Sequence, residues 1–180
     1  MNSTATALRF DRSRFRDVLG RFCTGVAIVS AVHDGEPVGF ACQSFASLSL
    51  DPPLVSYAVA DTSTTGPRIE RAGAFCATVL GADQGELCHG FGRSGAEKFA
   101  GVAWSPAEGT GSPRITGGLA WVDCRIETVI PAGDHRIVIG RVMHLSTPEN
   151  VQDAGPLLYY RGGFLAPRPG PHAVPGPTAA

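Results

Sequence analysis

The sequence predicts a mainly β protein, an antiparallel barrel with short helices inserted between its strands. Several separate stretches are rich in Val, Ile and Tyr, the residues that strands favour. Glycine and proline, with 23 and 14 of the 180 residues, make up about a fifth of the chain against a usual share of roughly 12%, which indicates many turns. Strands and helices do not alternate regularly, so an antiparallel barrel is favoured over a doubly wound parallel sheet.

A short amphipathic helix is predicted near the N-terminus. Apolar residues recur there at the helical spacing i, i+3, i+4, i+7, at Phe15, Val18, Leu19 and Phe22. Asp11 or Ser13 stands where an N-cap would accept a hydrogen bond from the first turn.

Seven strands are predicted from the remaining apolar and β-branched runs. They are residues 24–32, 37–44, 54–60, 74–80, 119–130, 136–145 and 157–164. Asp34-Gly35 is a strong hairpin signal between the first two strands. Pro52-Pro53 marks the entry to the third.

Short helices are predicted between some of these strands. Pro67 can occupy the first position of a helical turn over residues 67–71. Asp83 and Glu86 have the spacing of a capping box, which predicts a short helix to about Phe91. A further turn is expected over residues 96–99.

Charge and hydropathy exclude two classes of function. With 15 basic and 16 acidic residues, the formal net charge is -1, and no run of Lys or Arg offers the basic face that nucleic acid needs. The longest apolar runs are far shorter than the roughly 18 residues that a membrane-spanning helix requires. Residues 1–10 lack the apolar core of a secretory signal, so we expect a cytoplasmic protein.

Cysteine and histidine spacing gives no sign of a disulfide framework or a metal site. The five cysteines (23, 42, 76, 88 and 124) are odd in number and contain no CxxC pair. The five histidines show no HExxH or Cys/His ligand spacing, so no metal is predicted.

One folded domain, residues 11–165, is expected from the chain length. From residue 166 the sequence is APRPGPHAVPGPTAA, a proline-rich segment of low complexity. We expect residues 166–180 to form a disordered or extended tail.

The common catalytic motifs are absent from the sequence. Gly90 and Gly95 have P-loop spacing, but Ala96 stands where that motif needs lysine. No GxGxxG fingerprint occurs, so a nicotinamide cofactor would have to bind without a Rossmann motif. No Gly-x-Ser-x-Gly elbow occurs either, which lowers the expectation of a serine hydrolase.

Polar residues in otherwise apolar surroundings are the candidates for a binding site. Hydroxyls and backbone amides at strand ends can hold a phosphate or a heteroaromatic edge without net charge. They occur at Cys42-Gln43-Ser44, Ser47, Ser49 and Ser63-Thr64-Thr65. Ordinary turn and strand residues would give the same pattern, and both interpretations stay open.

Three further candidates carry charge or rings. Lys98 beside Phe99 pairs a cation with an aromatic face, although a solvated lysine next to a core ring is an equally simple interpretation. His135 precedes a predicted strand and can border a pocket or belong to a turn. Tyr160-Arg161 offers a stacking ring and a permanent cation, or an ordinary surface pair.

Taken in chain order, several segments resemble the flavin reductase-like family, the NAD(P)H:flavin oxidoreductases that serve two-component monooxygenases. The block GFACQSFASLSLDPPLV at 39–55 is specific. The other stretches are weaker alone but occur in the family's order: FCTGV at 22–26, KFAG at 98–101, GDH at 133–135 and PLLYYRG at 156–162. Together these segments span residues 15 to about 164.

The resemblance implies a Greek-key FMN-binding split barrel that forms a homodimer, with flavin near the subunit interface. Ala41, Cys42, Gln43 and Ser44 would lie along the isoalloxazine edge, and Ser47, Ser63 and Thr65 near the ribityl chain and phosphate. Lys98 and Phe99 would flank the flavin, His135 would face the nicotinamide as the catalytic candidate, and Tyr160 and Arg161 would complete the pocket.

The activity implied is hydride transfer from NADH, or NADPH, to FAD, or FMN, with reduced flavin passing to a partner monooxygenase. Ala41, Gln43 and Gly66 depart from the residues common in the family, where threonine, asparagine and an aromatic residue are frequent. Two alternatives remain: a module that holds its flavin tightly, as an electron carrier or oxidase without flavin exchange, or a barrel with a degraded site.

Overall fold

Twelve strands and three short helices make up the part of the chain that this computed structural model describes, residues 11–95, 97–149 and 155–167. The helices are α1 (Arg12–Leu19), α2 (Gly66–Ala72) and α3 (Gly85–Gly92). The strands are β1 (Thr24–Gly25), β2 (Ala27–His33), β3 (Glu36–Cys42), β4 (Ala46–Leu50), β5 (Pro53–Ala60), β6 (Ala74–Val79), β7 (Trp104–Pro106), β8 (Pro113–Ile115), β9 (Ala120–Ala132), β10 (His135–Ser146), β11 (Leu158–Tyr160) and β12 (Gly163–Leu165).

Seven antiparallel strands form the main sheet, in the order β3-β2-β6-β9-β10-β5-β4. Near its C-terminal end β3 comes back to β5, where Ser44 Oγ accepts a hydrogen bond from the amide of Ala58 (2.8 Å) and donates one to its carbonyl (3.2 Å). The sheet therefore curves into a barrel whose β3 edge is left open. The predicted mainly β, antiparallel class is confirmed.

The barrel interior is filled by the inward side chains of these strands. Tyr57 and Phe75 meet edge to face, with ring centroids 5.1 Å apart. Ile69 of α2 is fully buried and closes one end of the barrel. Gly140 of β10 lies directly against the Phe75 ring. A Cβ at this position would come within 2.6 Å of the ring, so only glycine fits there.

A second apolar cluster lies outside the barrel and holds α3 in place. Cys88 and Phe91 of α3 pack there against Ile28 of β2, Ile115 and Leu157. The C-terminal end of α3 is thereby fixed beside the open β3 edge.

The strands differ from the sequence prediction in several places. The predicted strand over 24–32 is divided into β1 and β2, and the short pair of β7 and β8 lies where no strand was predicted. β4 was not predicted because its sequence, ASLSL, alternates serine with leucines that remain exposed, Leu50 by 95%. The predicted strand over 157–164 is instead a hairpin of β11 and β12. Arg161 and Gly162 form its turn with φ of 49° and 84°.

All three predicted helices form, and the predicted cap of α1 is confirmed, whereas α2 begins at Gly66, one residue before the predicted start at Pro67. Asp11 caps α1 by accepting from the amide of Ser13 at 2.9 Å, and α2 includes Pro67 in its first turn. The capping box at Asp83 does not form, because Gln84 is the N-cap of α3 and its side chain instead accepts from the amide of Gly81.

The apolar face of α1 is not buried in this chain. Phe15, Val18, Leu19 and Phe22 have between 54% and 77% of their surface exposed. Within the described residues no helix is long and apolar enough to cross a membrane. The part of the predicted tail from residue 168 onward lies outside the described residues.

Candidate active site

The β3 edge presents backbone polar groups to an open groove. In an antiparallel pair, both backbone groups of alternate residues point away from the partner strand. Lys98 Nζ donates to the carbonyl of Gly39 at 3.2 Å from the side opposite β2, so the N–H and C=O of Gly39 and, by the same alternation, of Ala41 face the groove. Pro37 falls in the same alternation, where a missing N–H costs no ladder bond.

Four neighbouring cavities form this groove. The inner cavity (290 Å³) and outer cavity (480 Å³) share Thr64, Thr65 and Lys98. The inner cavity joins a middle cavity (490 Å³) through Ala41, Gly92 and Arg93. The middle cavity in turn meets an apolar cavity (820 Å³) at Gln43 and Tyr159. The groove therefore follows β3 from the barrel mouth to α1.

Hydroxyls and backbone amides converge at the inner cavity. Ser63 Oγ accepts hydrogen bonds from the amides of Thr65 (3.3 Å) and Gly66 (3.0 Å), which shapes the turn into α2. Thr65 is the N-cap residue of α2 but makes no capping hydrogen bond with its side chain. The Thr65 hydroxyl remains available to a ligand, whereas the Ser63 hydroxyl serves the turn.

Lys98 crosses between two walls of the groove. Its ammonium donates to the carbonyls of Gly39 (3.2 Å) and Phe91 (3.0 Å), which leaves one of its three N–H groups for a ligand. Partial burial lowers the pKa of Lys98. A weakly hydrated ammonium beside free hydroxyls is suited to an anionic group such as a phosphate.

Phe99 belongs to a cluster of aromatic side chains next to Lys98. Its ring meets Phe91 at 5.0 Å and Trp104 at 6.3 Å, both edge to face, and it lines the outer cavity. The outer cavity also contains Arg68, together with the carboxylates of Glu36 and Glu97. That mixture suits a ligand with both phosphate and hydroxyl groups.

Arg93 and Tyr159 line the groove and were not among the residues singled out from the sequence. Arg93 lies between the inner and middle cavities, and Tyr159 between the middle and apolar cavities. Arg93 could have been found from the sequence, because it is a cation in the glycine-flanked segment Gly92-Arg93-Ser94-Gly95 directly after a predicted helix. Nothing in the sequence distinguishes Tyr159 from Tyr160.

The predicted residues 41 to 44 divide between the groove and the barrel. Ala41 and Gln43 line the groove, in keeping with their outward backbone. Cys42 points inward and is 3% exposed, and its burial raises the pKa of its thiol. Ser44 lines the apolar cavity, but its hydroxyl is engaged with Ala58 across the barrel seam.

Ser47 and Tyr160 lie away from the four cavities described here. Ser47 is exposed on β4, beside an irregularity in its pairing with β5. Tyr160 is half-buried in β11, where Tyr159 takes the groove position. Arg161 lines the apolar cavity, and its amide donates to the carbonyl of Gly20 at 2.9 Å.

His135 stands at the start of β10, directly opposite Ala60 of β5. Opposed residues share a face of the sheet, so His135 lies on the same face as Ala60, which lines the inner cavity. His135 itself lines none of the four cavities. Asp134 Oδ1 is 2.7 Å from His135 Nδ1, and this hydrogen bond lowers the pKa of Asp134. The carboxylate therefore stays ionised near neutral pH and orients the imidazole.

The groove can hold a planar heteroaromatic ring with an anionic tail. Edge N–H and C=O groups of β3 match a ring that carries both donors and acceptors, and the tail would reach Thr65, Arg93 and Lys98. A flavin has this chemistry, so the residues present fit the cofactor that the resemblance implies. In the described part of the chain no group of three or more His, Cys, Asp or Glu side chains could hold a metal ion.

An antiparallel split barrel with a polar groove along its open strand edge defines a class of flavin-binding barrels, and comparisons with known proteins specify the family. Residues 19–167 match the family model described as flavin reductase like domain. The chain therefore belongs to the flavin reductase-like family. The resemblance found in the sequence, and with it an oxidoreductase of the flavin reductase type, is confirmed.

Individual relatives agree with this assignment. The chain is 46% identical to the flavin-dependent monooxygenase reductase subunit HsaB of Rhodococcus jostii over 176 residues. This aligned region covers 98% of this chain and 88% of that protein. Nitrilotriacetate monooxygenase component B from Mycobacterium thermoresistibile superposes with a TM-score of 0.88 at 44% identity over 93% of each chain. The Streptomyces globisporus NADH:FAD oxidoreductase SgcE6, solved with NAD and FAD fragments, superposes with a TM-score of 0.81 at 33% identity. The match covers 88% of this chain and 94% of that chain.

Proposed function

We propose that the chain transfers a hydride from NADH to FAD, with FMN as a second acceptor, and supplies the reduced flavin to a partner monooxygenase. The observation that carries this proposal is the open β3 edge, whose backbone groups lead to a cationic, hydroxyl-bearing turn at Thr65 and Lys98. The five free cysteines suit a reducing compartment, so a cytoplasmic setting is part of the proposal.

Bound flavin supplies the redox chemistry by accepting a hydride from the nicotinamide. The chain's own residues bind and orient the flavin and the nicotinamide dinucleotide. The backbone groups of Ala41 hold the polar ring edge, while Thr65, Arg93 and Lys98 hold the phosphate. His135, oriented by Asp134, positions the dinucleotide on the neighbouring face, so that both reactants are held at contact distance.

FAD is preferred over FMN in this proposal because the groove continues past the first phosphate position. The outer cavity shares Thr65 and Lys98 with the inner cavity and adds Arg68, which can meet a second phosphate. Glu36 and Glu97 can accept hydrogen bonds from ribose hydroxyls. Preference for NADH over NADPH is proposed from the likeness to the Streptomyces globisporus protein, whose name is NADH:FAD oxidoreductase.

The experiment that tests the function is NADH oxidation followed at 340 nm with no flavin, FMN and FAD, and repeated with NADPH. We expect turnover that depends on added flavin and is faster with FAD. A protein that stays yellow through gel filtration and shows no turnover with added flavin would instead favour the tight flavin-holding module.

We also propose that the chain works as a homodimer that covers the apolar face of α1. Phe15, Leu19 and Phe22 are exposed and form one wall of the apolar cavity, next to Gln43. Exposed apolar surface of this kind beside a polar groove is typical of a protein interface. A second copy seated there would close the end of the groove near α1.

Phe15→Asp is expected to convert the dimer to a monomer, because it places a carboxylate in the apolar interface. Sedimentation should show the wild type at twice 18.7 kDa and the variant at the single-chain mass. Arg14→Asp introduces the same carboxylate on α1 outside the cavity lining and should remain dimeric. A wild type that sediments as a monomer would contradict the proposal.

His135→Ala is expected to lower kcat by about tenfold or more while the flavin Kd changes by less than about twofold, because His135 is assigned to the nicotinamide rather than the flavin. Steady-state NADH oxidation and flavin titration measure the two quantities. His144→Ala is the matched control, since His144 lies on the same strand and also pairs with a carboxylate, Glu108 at 3.2 Å. Unchanged kcat in His135→Ala would remove His135 from the site.

A further inference from the structure

The turn that carries Thr65 lies within a segment whose two ends are joined by one arginine. The segment runs from Asp61, directly after β5, to Glu70 in α2. Arg136 of β10 reaches both acids: its Nη1 donates to Glu70 Oε2 at 2.7 Å, and its Nε lies 3.2 Å from Asp61 Oδ1 as an ion pair. The cation therefore spans the base of the loop that lines the inner and outer cavities.

This contact is sheltered from solvent on the α2 side. The side chains of Arg136 and Glu70 are 23% and 21% exposed, against 53% for Asp61. Glu70 Oε1 and Arg136 Nε are both buried without a hydrogen-bond partner, so Arg136 meets Asp61 as an ion pair only and its one hydrogen bond in the bridge is the one to Glu70 Oε2. Loss of the guanidinium would leave a half-buried carboxylate without its counter-ion, so α2 and the turn before it would have to shift.

The same arginine ties the loop to the hairpin that carries the catalytic candidate. Arg136 directly follows His135, and the amide of Asp61 donates to the carbonyl of Asp134 at 3.0 Å. The 61–70 segment is thus held to β10 by the Arg136 side chain and to the hairpin before it by this backbone hydrogen bond.

We propose that Arg136 is a positioning residue that holds the 61–70 segment in place so that Thr65 and Lys98 converge on the flavin phosphate. This inference rests on the proposed function, because it requires flavin in the groove. A planar guanidinium suits the role, since it can bridge two carboxylates in fixed directions. Preorganised loops bind more tightly because their ordering cost is met before the ligand arrives.

The test compares the full-length wild type with Arg136→Met in fluorescence titrations of FMN and riboflavin, which differ only by the phosphate. We expect the Kd of FMN to rise by about tenfold, the loss of roughly one charge-assisted hydrogen bond. The Kd of riboflavin should change by less than about twofold. A general structural defect would weaken both ligands alike, so the ratio of the two values isolates phosphate positioning.

Arg141→Met is the matched control. Arg141 lies on the same strand and makes a bidentate pair with Glu127 at 2.6 and 2.8 Å, away from the groove. It should leave both Kd values unchanged, whereas Arg136→Lys should restore part of the FMN affinity. If Arg136→Met does not fold, Asp61→Asn removes one arm of the bridge and should raise the FMN to riboflavin ratio by about threefold in the same titration.

An unchanged ratio in the folded variant would overturn the positioning role, as would a wild type that binds FMN and riboflavin equally well. Failure of the proposed function gives a different result, because NADH oxidation would then be absent from the wild type itself. A wild type that reduces flavin, together with an unaltered Arg136→Met ratio, rejects only the inference about Arg136.

Discussion

Ala41→Pro should weaken flavin binding by roughly hundredfold while the barrel stays folded. The N–H of residue 41 points into the groove rather than toward β2, so proline removes a ligand contact without breaking the sheet ladder. A ring acceptor left without its donor costs about 1–3 kcal/mol, and the bulk of the pyrrolidine adds to that cost. Pro37 already occupies the same alternation in β3, which shows that this edge tolerates proline.

Ala41→Ser is the control for this substitution, because it keeps the N–H and adds a single hydroxyl. We expect its flavin Kd within about threefold of the wild type. Circular dichroism should show the same fold in both variants, with similar melting temperatures. Retained flavin affinity in Ala41→Pro would place the ring edge elsewhere in the groove.

The barrel strands could be predicted because their signals are local. Asp34-Gly35 specifies a two-residue hairpin, and the β-branched runs on either side then pair in one register. β4 was missed because its leucines stay exposed in this chain and its serines resemble a loop. A strand that owes its place to pairing at the sheet edge leaves no hydrophobic alternation toward the core.

The candidate site was predictable in outline but not in detail. The block at 39–55 indicated a flavin groove because it resembles a family motif, and the hydroxyls at 63–65 were candidates as polar groups in otherwise apolar surroundings. Whether a hydroxyl faces a ligand depends on tertiary contacts, however, and Ser44 bonds to Ala58 fourteen residues away in sequence. The bridge from Arg136 to Glu70 spans sixty-six residues, a pairing that no local pattern shows.

Lys98→Met should raise the Kd of FMN by about ten- to hundredfold. The ammonium has one N–H left for the flavin phosphate, and a hydrogen bond to a charged group contributes about 1.5–3 kcal/mol. The variant also loses the donors to the carbonyls of Gly39 and Phe91, so the turn at 97–100 is less firmly held. Titration with FMN measures the whole increase in Kd. Titration with riboflavin, which lacks the phosphate, measures the part of that increase that comes from the weakened turn.

The pH dependence of FMN binding gives an independent check on Lys98. Burial favours the neutral amine and lowers the pKa of Lys98, so the cation is present at low pH and is lost as the pH rises through this lowered pKa. FMN affinity should therefore begin to fall at a lower pH than an ordinary lysine would give. Lys98→Arg keeps its charge at every accessible pH and should abolish this fall. An identical alkaline fall in Lys98→Arg would assign the titration to another group and leave Lys98 with a purely structural role.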